Sequence, residues 1–206
     1  MTGRGTLSRE RVLKAAVDFV DREGLEALSM RRLGAELGVE AMSLYNHVPN
    51  KDALLDGMVE VILGELEIPS ENGDWEERVR GGYRAFRRLA HEHPNVFPLL
   101  VNRPPRTMDG VWLVEEFLRT LREAGFDNRT ALHAFRALSS YTFGYAMAEI
   151  RGFALELEGV RSGVQKIPPR EFPRISELKP YLQGIDHDAE FEFGLDVILG
   201  GLRGKI

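Results

Sequence analysis

The sequence predicts an all-α protein of two unequal domains. Apolar residues recur at helical spacing nearly throughout, and no stretch alternates with period two for long enough to make a strand. A chain of 206 residues that is 43% hydrophobic can build a small domain attached to a larger one. With no cysteine, disulfides, thiolate zinc sites and cysteine nucleophiles are excluded, so the fold rests on packing.

The first helix is predicted from Ser8, burying Val12, Ala16, Phe19 and Val20 with Leu13 and Val17 widening the stripe, and Gly24 reads as its left-handed cap. Leu25 to Leu28 is a connector. Ser29 is an N-cap for a short second helix whose Leu33 and Leu37 face inward, and Gly38 supplies the positive φ of a sharp turn. A third helix over Ala41 to His47 turns Leu44 and Val48 inward and leaves Met42, Ser43, Asn46 and His47 on its outer surface. Pro49-Asn50 closes it and caps a fourth helix from Lys51 to about Glu67, with Leu54, Leu55, Met58, Val61, Ile62 and Leu66 on its apolar side.

Beyond Ile68 the stretch PSENGD is turn-rich, and an amphipathic helix follows from Trp75 to about His93. Pro94, Pro98 and Pro104-Pro105 leave room only for a short helix around Val96 to Val101. Val111 to Ala124 is the next helix, ended by Gly125, and a long one with apolar or small residues on more than one face runs from Asn128 to about Leu157. A loop with three prolines over Val160 to Pro173 leads to a short helix near Ile175 to Gln183 and a last helix from Asp188 to about Leu202. The long and terminal helices both carry surplus apolar surface, which predicts an isologous four-helix contact and hence a homodimer.

The net charge of -5 argues at first against a polyanionic partner, but the distribution of charge weakens that objection. From Met1 to Lys51 there are eight Lys/Arg against seven Asp/Glu, so the acidity belongs to the rest of the chain. A near-neutral head can bind nucleic acid if its basic groups share one face. The N-terminal MTGRGTLSRER lacks an apolar core of signal-peptide length, and later apolar runs are too short to span a bilayer; a cytoplasmic protein with no membrane partner is expected.

Two short helices joined by a glycine turn, between two amphipathic helices, match helix-turn-helix geometry, in which the second helix enters the major groove. Spacing alone is a weak signal. The run SMRRLGAELGVEAMSLYNHVPNKDALLD, however, resembles the TetR-family DNA-binding domain, with Gly-Val at the turn, Ser-Leu-Tyr on the recognition helix and an Asn-Lys cap opening the next helix. The resemblance covers Ser8 to about Leu63 and implies that Ser29, Tyr45 and Lys51 meet phosphates. It places Ala41, Met42, Ser43, Asn46 and His47 toward the bases or the groove. Asn46 can pair with adenine, Ser43 can donate to base or phosphate, and Ala41 and Met42 can touch a thymine methyl. Gly34 departs from the family's alanine at the close helix crossing and costs up to ~1 kcal/mol of helix propensity. Read without the resemblance, Tyr45 is equally a half-buried packing residue, His47 packs beneath the turn, and Arg31 and Arg32 form a solvated face.

Downstream, Trp75, Tyr83-Arg-Ala-Phe86, Asn102-Arg103-Pro104, Ala124-Gly125-Phe126 and Tyr141-Thr-Phe-Gly144 are similar to segments of the tetracycline-repressor ligand domain. The resemblance implies that domain's fold and dimer mode, and a small-molecule pocket lined by Phe86, Arg103, Pro104, Phe117, Phe135 and Ser139, with few polar groups. The aromatic members also read as ordinary core. Where the tetracycline sensor places a histidine for the magnesium-bound drug, this chain has Phe97-Pro-Leu-Leu100, so magnesium-tetracycline is not the expected ligand. His91 and His93, two residues apart, point away from each other on a helix and read as surface histidines; no metal and no cofactor are expected.

No phosphate-binding glycine loop or serine elbow occurs, and the acids are scattered along solvated faces, so no catalytic residue is assigned. The implied function is a TetR-type repressor that binds palindromic operator DNA as a homodimer and is released by a small-molecule inducer. Residues 1–50 form its three-helix DNA-binding domain, 51–68 a connecting helix and 69–206 the ligand-binding and dimerisation domain. The rival readings are a helical ligand-binding protein that does not bind DNA and a helical enzyme; operator binding and turnover respectively distinguish them.

Overall fold

The computed structural model describes residues 6–68, 73–103, 108–153, 168–182 and 184–205. Among these, ten α-helices and two 3-10 turns follow one another with no strand. Helix α1 (Arg9–Glu23) begins at Ser8, whose Oγ accepts from the Arg11 amide at 3.2 Å. Gly24 ends it with φ 83° and ψ 157°, an extended conformation rather than the left-handed helical cap expected. That region is open essentially to glycine alone, and the extended ψ redirects the chain into the 3-10 turn Leu25–Ala27.

Helix α2 (Met30–Leu37) is capped by Ser29 and stops at Gly38, which is left-handed at φ 69° and ψ 32°. Helix α3 (Ala41–Tyr45) is two residues shorter than expected, because Asn46 and His47 continue as a turn. Asn50 Oδ1 accepts from the Ala53 amide at 2.8 Å and opens α4 (Lys51–Gly64). The last turn of α4 tightens, with the Glu65 and Leu66 amides donating to Ile62 and Leu63 carbonyls, so α4 ends before Glu67.

Asp74 caps α5 (Trp75–Glu92), followed by α6 (Leu99–Asn102), α7 (Met108–Glu123) and α8 (Asn128–Arg151). The long helix ends at Gly152, with φ 93°, and not near Leu157. Residues 154–167, which hold most of the proline loop, lie outside the described residues. Helix α9 (Pro173–Leu178), the 3-10 turn Lys179–Leu182 and α10 (His187–Arg203) complete the chain.

The helices enclose two cores. One packs Leu13, Leu33, Leu44, Leu54, Met58 and Ile62 of α1 to α4 with Leu89, Phe97, Leu100 and Ala146. The other packs Val79, Tyr83, Leu121, Phe126, Leu138, Phe191 and Leu195. Helices α5 and α8 run through both, so each core restrains the other. Leu33 and Leu44 are wholly buried, and each contributes about 1.5–3 kcal/mol to holding α2 and α3 in place.

Candidate nucleic-acid interface and ligand cavity

The inward anchors Leu33, Leu44 and Val48 fix which residues α3 turns outward. Met42 is 73% exposed and Tyr45 42%, while Asn46 is exposed and Ala41, Ser43 and His47 are half-buried beside them. Tyr45 is therefore not enclosed by packing. The α2–α3 crossing is close: a Cβ on Gly34 would meet the Val39 carbonyl oxygen at 2.9 Å and the Ala41 nitrogen at 3.2 Å. Glycine at this position draws the two helices nearer than alanine permits without a shift of backbone.

Lys51 Nζ donates to the Leu28 carbonyl at 3.1 Å, which brings it beside Ser29. The N-termini of α2 and α4 thus face the same patch, and the positive ends of two helix dipoles add to the ammonium charge. Ser29 Oγ accepts from the Arg32 amide at 3.2 Å, leaving its own proton to donate. Arg32 is exposed, as expected, and is also partnered. It donates to the Ala27 carbonyl at 3.1 Å, pairs with Glu23 and lies 5.0 Å over the Phe19 ring. Arg31 is exposed.

A cavity of about 200 Å³ opens between the two cores. Phe86, Phe117, Phe135 and Ser139, four of the six residues implied by the resemblance, line it. Arg103 is not among its lining residues. Its guanidinium is held by Asp56 at 2.7 Å and Asp52 at 2.6 Å, two acids one turn apart on α4. Pro104 lies outside the described residues. Sequence reasoning missed Tyr83, Phe143 and the contribution of α4 and its end, Leu63, Leu66 and Ile68. A signal for Phe143 existed: Phe135, Ser139 and Phe143 are spaced by four and share a face of α8.

Phe97, Leu99 and Leu100 are buried and Leu100 also lines the cavity, so the segment where the tetracycline sensor has a metal-binding histidine here supplies apolar surface. His93 is also placed differently from the surface position expected. Its side chain is 14% exposed, with Nδ1 2.6 Å from Asp21 and Nε2 2.9 Å from Glu65. Burial alone would lower its pKa, but the hydrogen bonds to the two carboxylates and their charges raise it above the ordinary histidine value. His91 remains at the surface and reaches Glu149 at 3.2 Å.

The family model for bacterial regulatory proteins of the tetR family matches residues 12–58, and that for the tetracyclin repressor-like C-terminal domain matches residues 68–206. The chain belongs to the TetR family. Within it, 96% of this regulator aligns at 35% identity with 78% of the HTH-type transcriptional repressor DrrR1 of Streptomyces coeruleorubidus. It is 29% identical to the tetracycline repressor protein class D of Escherichia coli, over 96% of this chain and 89% of that one. Among solved structures, the TetR family protein ActR of Streptomyces coelicolor in complex with (S)-DNPA superposes with a TM-score of 0.82 at 31% identity. That match covers 98% of this chain and all of ActR. TetR-family proteins are transcriptional regulators and not enzymes, and this member is a ligand-responsive, DNA-binding regulator. Among the described residues no helix is long and apolar enough to cross a membrane.

Proposed function

We propose that two copies of this chain bind palindromic operator DNA, repress transcription, and leave the DNA when an inducer fills the cavity. The observation that carries the reading is the course of α4. Lys51, beside Ser29 at the surface, and Leu63, in the cavity wall, lie on one unbroken helix and are separated by about 18 Å along its axis. A ligand that displaces Leu63 acts on a rigid lever whose other end carries a cation beside Ser29, at the start of α2.

Ser29, Tyr45 and Lys51 would meet phosphates, while Ala41, Met42, Ser43, Asn46 and His47 face the groove. Residues 1–50 are then the DNA-binding domain, 51–68 the connecting helix and 69–206 the ligand-binding and dimerisation domain. For the dimer, α8 exposes Arg129, Leu132, His133 and Arg136 on one face, and α10 exposes Glu190, Phe193, Asp196 and Val197 on one face. Apolar centres flanked by opposite charges suit α8 of each protomer to α10 of its partner. Two recognition helices must sit about 34–36 Å apart to enter successive major grooves, and a ligand favouring another spacing weakens operator binding.

Selection of bound sequences from a random duplex pool, followed by affinity measurements across salt concentrations, tests this reading. A palindrome bound with a steep salt slope is expected. A folded dimer that enriches no sequence at low salt would overturn it.

A further inference from the structure

The cavity joins two aromatic groups. Phe86 and Phe143 meet edge to face at 4.7 Å on the side of the core shared with α4, and Phe117 and Phe135 pack at 5.5 Å on the other. Faces and edges of rings on both sides favour a flat aromatic guest. Within this apolar wall stand two hydroxyl groups, Tyr83 Oη and Ser139 Oγ, 3.1 Å apart, and the tyrosine also reaches the Phe135 carbonyl at 3.3 Å. With the tyrosine proton on that carbonyl and the serine proton on the tyrosine oxygen, both protons are used, and the pair offers a guest acceptor lone pairs.

Charge is disposed of elsewhere. Arg103, the cation that the resemblance assigned to the pocket, is tied to Asp52 and Asp56, and the nearby Phe97, Leu99 and Leu100 are buried apolar residues that bring no charge, Leu100 to the cavity wall itself. Burial pushes the Tyr83 phenol well above its ordinary pKa, so it stays neutral. An ionised guest would lose its hydration without gaining a countercharge from these groups.

We propose that the cavity admits an uncharged, flat aromatic molecule with one hydroxyl group at its edge, which donates to Tyr83 and Ser139, and that no metal ion orients it. The inference rests on the reading of the cavity as the effector site. Its volume of about 200 Å³ exceeds the ~150 Å³ cavity that holds benzene and accommodates two fused rings.

The test titrates the full-length protein with 2-naphthol, 2-naphthoate and naphthalene, following tryptophan fluorescence and melting temperature. 2-Naphthol is expected to bind about tenfold more tightly than 2-naphthoate and about threefold to tenfold more tightly than naphthalene, the worth of one buried hydrogen bond. Tyr83→Phe and Ser139→Ala should each bring 2-naphthol toward naphthalene while leaving naphthalene unchanged. If 2-naphthoate binds as well as 2-naphthol, or both variants keep the naphthol preference, the ligand class is wrong although the cavity stands. Val114→Phe, or Ser139→Leu if that variant misfolds, fills the cavity. If binding of all three probes survives a folded filling variant, or if none of them binds the parent protein, the effector-site reading itself fails.

Discussion

His93 Nδ1 lies 2.6 Å from Asp21 Oδ2, and the opposite ring nitrogen lies 2.9 Å from Glu65 Oε2. One imidazole just past α5 thereby joins α1 to the end of α4, and Asn95 strengthens the junction by donating to the Asp21 carbonyl at 2.9 Å. This contact ties α1 and the end of α4 to the segment that follows α5.

The junction makes stability depend on pH with a definite sign. Because the folded-state pKa of His93 is raised, its contribution is complete below the unfolded value of about 6.5 and is lost as pH rises through the folded value above it. Urea unfolding from pH 6 to 9 should therefore show the stability difference between the parent and His93→Gln shrinking toward alkaline pH. A difference that stays constant across that range would mean the imidazolium is not what holds the junction.

Arg103 provides a second link, from the end of α6 to α4. Asp52 is largely exposed and Asp56 partly so, and Arg103→Ala should cost little stability, about 1 kcal/mol. The expected loss is in coupling. An inducer should still bind the variant, but its effect on operator affinity should fall several-fold, within the 1–3 kcal/mol typical of coupling between sites. Operator affinity measured with and without inducer checks this; an undiminished ratio would place the transmission elsewhere.

These links also mark where the sequence stops being informative. The caps Ser8, Ser29 and Asn50 and the left-handed Gly38 depend on neighbours within a few residues, and they were legible. The end of α8 was not, because the apolar pattern continues past Gly152 and masks the glycine that stops the helix. His93 pairs with residues 72 and 28 positions away, and no local pattern carries that information. For Arg103 a clue was present in Asp52 and Asp56, four apart on one helix and well placed to hold a cation. The aromatic lining of the cavity was legible from the family resemblance, whereas the contribution from α4 required the packing.

On DNA, Lys51 and Asn46 should behave differently. Lys51→Ala removes a charge from the junction of two helix N-termini, so binding should weaken alike on all sequences and the salt slope should fall by about 1 per lost phosphate contact. Asn46→Ala should alter the preferred sequence, with about 1–3 kcal/mol lost at one base pair of each half-site. Affinities on a panel of single-base operator variants distinguish the two. Equal relative losses on every site for Asn46→Ala would remove its base-reading role.

Arg87 forms two bonds with Glu149, at 2.6 and 2.7 Å, and a third with Asp188 at 2.7 Å, joining α5, α8 and α10. The Glu149 side chain is only 4% exposed. Burial alone would raise its pKa, but the Arg87 bonds hold it below the ordinary value. Its contribution is therefore present above the unfolded value of about 4.3 and lost as pH falls through the folded one. Arg87→Leu should destabilise by about 3–5 kcal/mol near neutral pH, whereas Arg87→Leu with Glu149→Leu should recover much of the loss. Denaturant unfolding of the three proteins checks this; a double variant no better than the single would show that packing, not the carboxylate left with His91 alone, dominates.

Gly34 poses the opposite kind of test, because helix propensity and packing disagree there. Alanine would favour α2 by up to ~1 kcal/mol, yet its Cβ would lie 2.9 Å from the Val39 carbonyl oxygen, an atom held in the turn by the Gly38 conformation. Backbone must move, and the segment that moves leads directly into α3. Gly34→Ala should therefore keep its helical circular dichroism but lose operator affinity, through displacement of Ala41, Met42 and Asn46 relative to the cation at Lys51. If the melting temperature rises by a few degrees and operator affinity is unchanged, the crossing has room for a methyl group, and the glycine does not position the recognition helix.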